Sequence, residues 1–346
     1  MQASTSTERP DAARWRLDLV AFLPHELTCC IRNTESVLGS GFHTSVAKIQ
    51  FLSILQDKQT TIELLSDPSI STHLCNLHTT FNLHLFFISV QRMQPLNLSF
   101  AACGFLGIYH LGAAAAFLRH GKRMLQAVKA FAGASSGSLV ATVLLTAPEK
   151  TKECQLFTYK FAEEVRNQTF GAATPGYDFM NSLRAGLESI LPPNAHEVAD
   201  NHLYVSITCT KNRENYLVSN FASREDLIKV LLASSFLPVY AGIKAMEYKG
   251  EKWIDGGLTN GLPILSPGRT VTVSPFSGQM DICPQERGLS KLHIKLAQQD
   301  ITLSVANLER FIQALFPPRQ EKMESLFQNG FDDAVQFLMK ENWFEK

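Results

Sequence analysis

The residues best suited to chemistry are a serine and an aspartate, each beside glycines. Ser135 is the centre of Gly133-Ala134-Ser135-Ser136-Gly137, a G-x-S-x-G motif whose glycines permit a tight turn and expose the hydroxyl. A serine hydroxyl is a poor nucleophile at neutral pH, so it needs a base within hydrogen-bond reach. Asp255, which opens Asp255-Gly256-Gly257, is of a type that can act as that base directly. Together they indicate nucleophilic acyl transfer.

A histidine is the alternative base. In α/β-hydrolases the catalytic residues follow the order serine, acid, histidine, which would make His293 the base and Asp255 the residue that orients it. His293 also alternates with Leu292 and Ile294 as a strand residue would, and that structural interpretation is the simpler one. The other histidines after residue 92 lack a catalytic or metal-binding setting and are interpreted as structural or surface residues: His110, His120, His196 and His202.

A second glycine-rich segment, Cys103-Gly104-Phe105-Leu106-Gly107, lies between a predicted strand and a predicted helix. Backbone N–H groups in such a turn can stabilise the oxyanion that forms during acyl transfer. A dinucleotide-binding turn occupies the same context. The G-x-G-x-x-G pattern is incomplete here, because residue 102 is alanine and residues 126–132 contain no carboxylate to bind a ribose. The oxyanion interpretation is therefore favoured.

Composition excludes several other classes of protein. The 32 basic and 32 acidic residues cancel, which argues against duplex nucleic acid as the main partner. The longest apolar runs, residues 81–90 and 139–147, are too short to cross a bilayer, so no transmembrane helix is predicted. The seven cysteines form no C-x-x-C pair and no metal-ligand spacing, which predicts free thiols. Neither a metal nor an organic cofactor is expected.

Two strand-turn-helix units position the motifs. Strand 96–101 leads through the first glycine turn into helix 108–120, and strand 128–132 leads through turn 133–137 into helix 138–146. Two such units in tandem imply a parallel sheet. The other predicted elements are helices 149–170, 178–191 and 227–233, strands 203–208, 216–221 and 270–273, a hairpin over 246–254, and a mostly helical tail over 301–343 that breaks at Pro317 and Pro318. Ser223, with Asp226 three residues later, resembles a capping box that opens the helix over 227–233.

The three glycine-flanked motifs, in this order along the chain, resemble the patatin-like phospholipase family. The resemblance covers about residues 93–346 and leaves residues 1–92 as an extension that is expected to be weakly folded. It implies an α/β fold, three-layer α/β/α and patatin-like, with a mainly parallel central sheet. It also implies a Ser135–Asp255 dyad without histidine, and an oxyanion hole in the loop that contains Ala102, Cys103, Gly104 and Gly107.

Position 102 departs from the family pattern, in which a glycine is common. Alanine would be strained there if the backbone needed a positive φ, and the geometry of the oxyanion hole depends on this point.

The resemblance implies an enzyme that hydrolyses or transfers fatty acyl groups of triacylglycerol, phospholipid or retinyl ester through an acyl-serine intermediate. A catalytically silent lipid-binding or scaffold protein with the same fold is the alternative. The implied location is cytoplasmic and peripheral on lipid droplets or membranes, or mitochondrial. The tail is rich in phenylalanines that would either dock on a lipid surface or, in the simpler interpretation, pack on the core: Phe311, Phe316, Phe327, Phe331, Phe337 and Phe344.

Overall fold

Seven strands form one sheet in the computed structural model, which describes residues 95–286 and 292–346. The extension predicted over residues 1–92 lies outside the described residues. In chain order the strands are β1 Leu96–Phe100, β2 Val128–Ala134, β3 Leu203–Cys209, β4 Asn215–Val218, β5 Met246–Tyr248, β6 Glu251–Asp255 and β7 Arg269–Val273. A separate hairpin consists of β8 His293–Leu296 and β9 Gln299–Thr302.

The centre of the sheet is parallel. β1 lies between β2 and β7, and β2 also pairs with β3, all in parallel. β4 and β6 pair with β3 in the antiparallel direction, and β5 pairs with β6 in the same way. A parallel sheet is normally covered on both faces, and the burial of four of the five β1 residues agrees with this. The mainly parallel sheet predicted from the tandem units is confirmed.

Helices flank the sheet and complete a three-layer α/β/α fold. They are α1 Gly107–His120, α2 Lys122–Ala127, α3 Ser136–Thr146, α4 Thr151–Arg166, α5 Phe179–Ile190, α6 Ala195–Ala199, α7 Arg224–Ser234, α8 Val305–Leu315 and α9 Gln320–Lys340. The helix α7 begins at a capping box, as its sequence indicates: the Ser223 hydroxyl accepts the Asp226 N–H at 3.1 Å, and the Asp226 carboxylate accepts the Ala222 N–H at 3.2 Å.

The structure corrects the predicted tail. Ile301 and Thr302 belong to β9 and pair with β8, so the helical part begins only after Ser304, whose hydroxyl caps α8. The short helices α2 and α6 were not predicted, because six and five residues are too few to display a helical period. The strand predicted over 216–221 ends at Val218.

The phenylalanines of the tail mostly pack inside the protein. Phe337 belongs to the main hydrophobic core, and Phe311, Phe327, Phe331 and Phe344 pack against it. Phe316 is the exception, with 57% of its surface exposed. The simpler interpretation of this tail, helices packed on the core, therefore holds for five of the six side chains.

Free thiols are found at each described cysteine. Cys103, Cys154, Cys209 and Cys283 are buried and unpaired by disulfides, as their spacing predicts. The remaining three cysteines lie in the part of the chain that the structure leaves undescribed.

Candidate active site

Ser135 occupies a sharp turn between a strand and a helix. β2 ends at Ala134 and α3 begins at Ser136, which leaves Ser135 with φ of 52° and ψ of −132°. A non-glycine residue in this region is strained, and such strain is typical of a serine nucleophile at the top of a sheet. Gly137 permits the turn, because a Cβ there would collide with the carbonyl oxygens of Phe100 and Ala101 at the end of β1.

The sheet brings Asp255 to the same place from the opposite direction. β4 lies along one edge of β3, so β2 and β6 both pair with the other edge. Along that edge β2 ends with Ala134 opposite Ser206, and β6, which runs the other way, ends with Asp255 opposite Ile207. The two strand ends therefore meet head to head. Ser135 and Asp255, some 120 positions apart in sequence, converge because they terminate these two strands.

The environment of Asp255 suits a general base. Burial raises the pKa of its carboxyl from 3.8 to about 6, while hydrogen bonds from the Ser135 side chain and the Gly257 N–H act in the opposite direction. The Gly257 N–H lies 2.6 Å from Oδ1. At neutral pH the carboxyl is therefore ionised, yet it binds a proton more readily than an exposed aspartate does.

Backbone donors face the same region. The N–H groups of Cys103 and Gly104 have no backbone acceptor among the described residues. In contrast, Ala102 donates to the Gly261 carbonyl at 2.7 Å, and Gly107 donates to the carbonyls of Gly104 and Phe105. Cys103 and Gly104 thus keep their N–H groups available for an oxyanion, whereas Ala102 and Gly107 shape the loop that presents them.

Alanine at position 102 causes no backbone strain, since it is not among the residues with positive φ. The position in this loop that requires glycine is Gly104, which has φ of 53° and where a Cβ would collide with the Ala314 carbonyl. The methyl group of Ala102 instead packs against the loop after Asp255: a Cβ on Gly257 would lie 2.7 Å from it. Ala102 therefore packs the loop that contains Cys103 and Gly104 against the loop that follows Asp255.

A further backbone donor directly follows Ser135. The Ser136 N–H is the first of α3 and has no backbone acceptor in the described segments, so it also points out of the helix N-terminus. The Ser136 hydroxyl lies 3.3 Å from the Cys103 sulfur and links the turn at Ser135 to the loop that contains Cys103. This N–H is not among the predicted oxyanion donors, although its position directly after the motif serine is a sufficient signal for it.

Ser135 and Asp255 line one cavity of about 350 Å³, together with Ala102, Cys103, Gly104 and Gly107. Away from these residues the wall is mostly apolar and is supplied by α1, α3, α4, α5 and α8; it includes Leu139, Val143, Phe157, Phe161, Phe179, Leu183, Leu187 and Ile190. The two cysteines in the wall are neutral thiols, because burial raises the pKa of Cys103 and of Cys154 to about 12. The cavity can accept an extended apolar chain whose reactive end lies at Ser135.

The histidine considered as an alternative base, His293, lies outside the cavity lining. His293 belongs to the separate β8–β9 hairpin, 3.5 Å from Asp300, and is not among the residues that line the cavity. His110 is fully buried, and its Nε2 contacts the Ala101 carbonyl at 2.9 Å. Burial lowers the pKa of His110 to about 4, so this ring is neutral. Among the residues that the structure describes, the groups assembled at the cavity are a serine and an aspartate with no imidazole beside them.

Neither a metal site nor a membrane-spanning helix is found in residues 95–286 and 292–346. No cluster of three or more histidine, cysteine, aspartate or glutamate side chains could hold a metal ion there. None of the described helices has the length and apolar character needed to cross a membrane.

Comparison with known proteins places the chain in a family. The sequence profile described as patatin-like phospholipase matches residues 98–267. Patatin-like phospholipase domain-containing protein 4 of Homo sapiens is 71% identical over 253 residues, which are 73% of this chain and 100% of that protein.

More distant relatives match over a similar part of the chain. Patatin-like phospholipase domain-containing protein 2 of Mus musculus is 34% identical over 72% of this chain and 51% of its own length. The protein 1-acylglycerol-3-phosphate O-acyltransferase PNPLA3 of Homo sapiens is 32% identical over 70% of this chain and 50% of its own length. The chain spans about half the length of these two relatives. On the strength of the profile and of the 71% identity, the chain belongs to the patatin-like phospholipase family.

Proposed function

We propose that this protein is a serine esterase that hydrolyses or transfers fatty acyl groups of lipid esters, with Ser135 as nucleophile and Asp255 as base. The observation that carries the proposal is the convergence of both side chains on one mostly apolar cavity. Membership of a phospholipase family, and a relative named as an acyltransferase, support the same class of substrate. The candidate esters are triacylglycerol, phospholipid and retinyl ester. We assign the activity to residues 93–346 and treat residues 1–92 as an extension.

The first half of the reaction forms the acyl-enzyme. Asp255 takes the proton of the Ser135 hydroxyl while Oγ bonds to the ester carbonyl carbon. The carbonyl oxygen becomes an oxyanion and accepts hydrogen bonds from the N–H groups of Cys103 and Gly104, and from that of Ser136. The C–O bond to the alcohol then breaks, and the protonated Asp255 returns the proton to the departing alkoxide. The acyl group remains on Ser135.

The second half releases the acyl group to an acceptor alcohol or to water. Asp255 takes a proton from the acceptor as its oxygen bonds to the acyl carbon, and it gives the proton back to Oγ as the acyl-serine bond breaks. Hydrolysis and transacylation share the intermediate and differ only in the acceptor. The apolar wall of the cavity excludes water from the acyl chain, which favours acceptors delivered with the lipid.

The substrate implies work at a lipid surface, in the cytoplasm at membranes or lipid droplets or in mitochondria. Two apolar side chains line the cavity and are also exposed to solvent, and they mark its mouth. Leu258 is 49% exposed and Leu315 is 36% exposed. Three more apolar side chains are over half exposed and directly adjoin a cavity-lining residue in sequence: Val239, Ile312 and Phe316. Such residues can enter the apolar part of a lipid layer and bring the mouth to the substrate.

The variant Ser135→Ala tests the proposal. It removes the nucleophile and leaves the fold intact, so turnover of long-chain esters should fall at least about 1,000-fold with an unchanged melting temperature. A fluorophosphonate probe should label the wild type at Ser135 and fail to label the variant. Equal turnover in both proteins would overturn the assignment. Lipid binding without probe labelling of the wild type would instead identify a catalytically silent lipid-binding protein.

A further inference from the structure

A buried serine outside the three motifs is joined to the nucleophile. Ser234 is the last residue of α7 and is fully buried. Its hydroxyl oxygen accepts the Ser135 N–H at 2.9 Å and donates its own proton to the Ser206 carbonyl at 2.7 Å. One hydroxyl therefore joins two backbone groups, one of which belongs to the strained residue itself, and the Ser138 hydroxyl lies 3.4 Å from it.

The place of this hydroxyl in the sheet explains what it does. Ser206 on β3 pairs with Ala134 at the end of β2, and the next residue of β3 pairs with Asp255 at the end of β6. Regular strand pairing stops between these two ends, because Ser135 turns away from the sheet. The Ser234 hydroxyl lies in this gap and replaces the interrupted strand contact, linking the Ser135 N–H to β3.

Contacts at the same gap also hold the end of β6, where Asp255 lies. The backbone of Gly256, directly after Asp255, packs so closely on the Ser206 carbonyl that a Cβ at 256 would overlap it. The Asp255 N–H donates to the Phe236 carbonyl at 2.9 Å, two residues after Ser234. The end of α7 thus holds the nucleophile through a side chain and the base through the backbone.

We infer that Ser234 is a positioning residue that holds the Ser135 turn in its strained conformation and sets the distance between nucleophile and base. Without its hydroxyl the Ser135 N–H would be buried without a partner, and the cheapest relief is relaxation of the positive φ at Ser135. Relaxation would move the Ser135 oxygen relative to Asp255 and to the oxyanion donors. This inference rests on the proposed function and adds a residue that touches neither substrate nor the reacting atoms.

The test compares Ser234→Ala with Ser99→Ala. Ser99 is a matched control, since it is a fully buried serine on β1 whose hydroxyl has no partner among the described residues and which is not among the cavity-lining residues. For Ser234→Ala we expect kcat to fall about tenfold or more, with KM within about twofold of the wild type, because chemistry is affected and binding is not. The rate of fluorophosphonate labelling should fall in parallel. Ser99→Ala should retain wild-type kinetics.

A third variant separates positioning from general destabilisation. Ser234→Cys keeps a weaker donor and acceptor of similar shape, so its kcat should lie between those of the wild type and Ser234→Ala. Rates are measured well below each melting temperature. Wild-type kcat in a folded Ser234→Ala would overturn the inference, as would a loss of kcat no larger than that of Ser99→Ala. Failure of the proposed function would appear separately, as retained turnover in Ser135→Ala.

Discussion

At the scale of single residues, the pKa of Asp255 links catalysis to pH. Burial raises this pKa to about 6, and the carboxyl must be ionised to accept the Ser135 proton. We therefore expect kcat/KM to be constant above about pH 7 and to fall tenfold per pH unit below about 6. A pH–rate profile on a soluble short-chain ester measures this. A profile that falls only near pH 4, the range of an exposed aspartate, would contradict the assignment.

The same pKa predicts an effect on stability. A carboxyl with a raised pKa in the folded state stabilises the fold below its ordinary value of 3.8, and this contribution is lost as the pH rises through about 6. At pH 7 the folded protein therefore carries a buried charge at a cost. Asp255→Asn should abolish turnover and raise the free energy of unfolding at pH 7 by about 3 kcal/mol. Urea unfolding at pH 7 and pH 4 checks the sign, because the gain should shrink at pH 4.

At the scale of elements, the contact between α1 and α9 depends on two glycines. A Cβ on Gly112 of α1 would overlap the Phe327 carbonyl, and one on Gly330 of α9 would overlap the Tyr109 carbonyl. The two helix backbones touch at these points, so neither can yield as a flexible side chain would. Gly112→Ala should lower the free energy of unfolding by about 3 kcal/mol or more.

The control for this helix contact is Gly176→Ala. Gly176 has φ of 86° and no atom within 4 Å of a Cβ, so its replacement carries only the backbone penalty of about 1–2 kcal/mol. Thermal or urea unfolding of both variants measures the difference. Unchanged or increased stability of Gly112→Ala would show that the close contact between α1 and α9 carries no penalty, because Gly112 has a helical φ at which alanine is the better helix former.

At the scale of the whole molecule, the position of the exposed apolar residues predicts how the protein meets its substrate. Val239 and Ile312, 79% and 55% exposed, neighbour cavity-lining residues. Met339 is similarly exposed at 54%. It lies near the end of α9, where Glu341 pairs with Arg269 at the start of β7, whereas the site lies at the far ends of the parallel strands. Met339 therefore lies away from the site, near the opposite ends of the parallel strands, and serves as a control.

The double variant Val239→Asp with Ile312→Glu should weaken binding to phospholipid vesicles about tenfold or more, because two apolar contacts with the lipid layer are replaced by charges. Turnover of vesicle-borne esters should fall accordingly, and turnover of a soluble short-chain ester should change much less. Aspartate suits position 239, where φ is 71°. Met339→Glu should bind as the wild type does. Equal vesicle binding by the double variant and the wild type would rule out this face.

The local structure of this protein can be read from the amino-acid sequence alone. The strand-turn-helix units, the turn at Ser135, the capping box at Ser223 and the mainly parallel sheet follow from glycine positions, caps and apolar periodicity, which act between residues a few positions apart. The family, too, was recognisable from three short motifs, and the comparisons confirm it. The predicted roles of Ser135 and Asp255 remain predictions that the experiments above address.

Properties that depend on partners distant in the chain follow only from the tertiary structure. Whether an N–H is free to bind an oxyanion depends on acceptors that are distant in sequence. The Ala102 N–H donates to the Gly261 carbonyl, whereas the Cys103 N–H has no backbone acceptor among the described residues. The pKa of Asp255 depends on burial by several elements, and the link from Ser234 to Ser135 joins residues 99 positions apart. Hydrogen-bond partners and burial are properties of the packed chain, so no short sequence pattern encodes them.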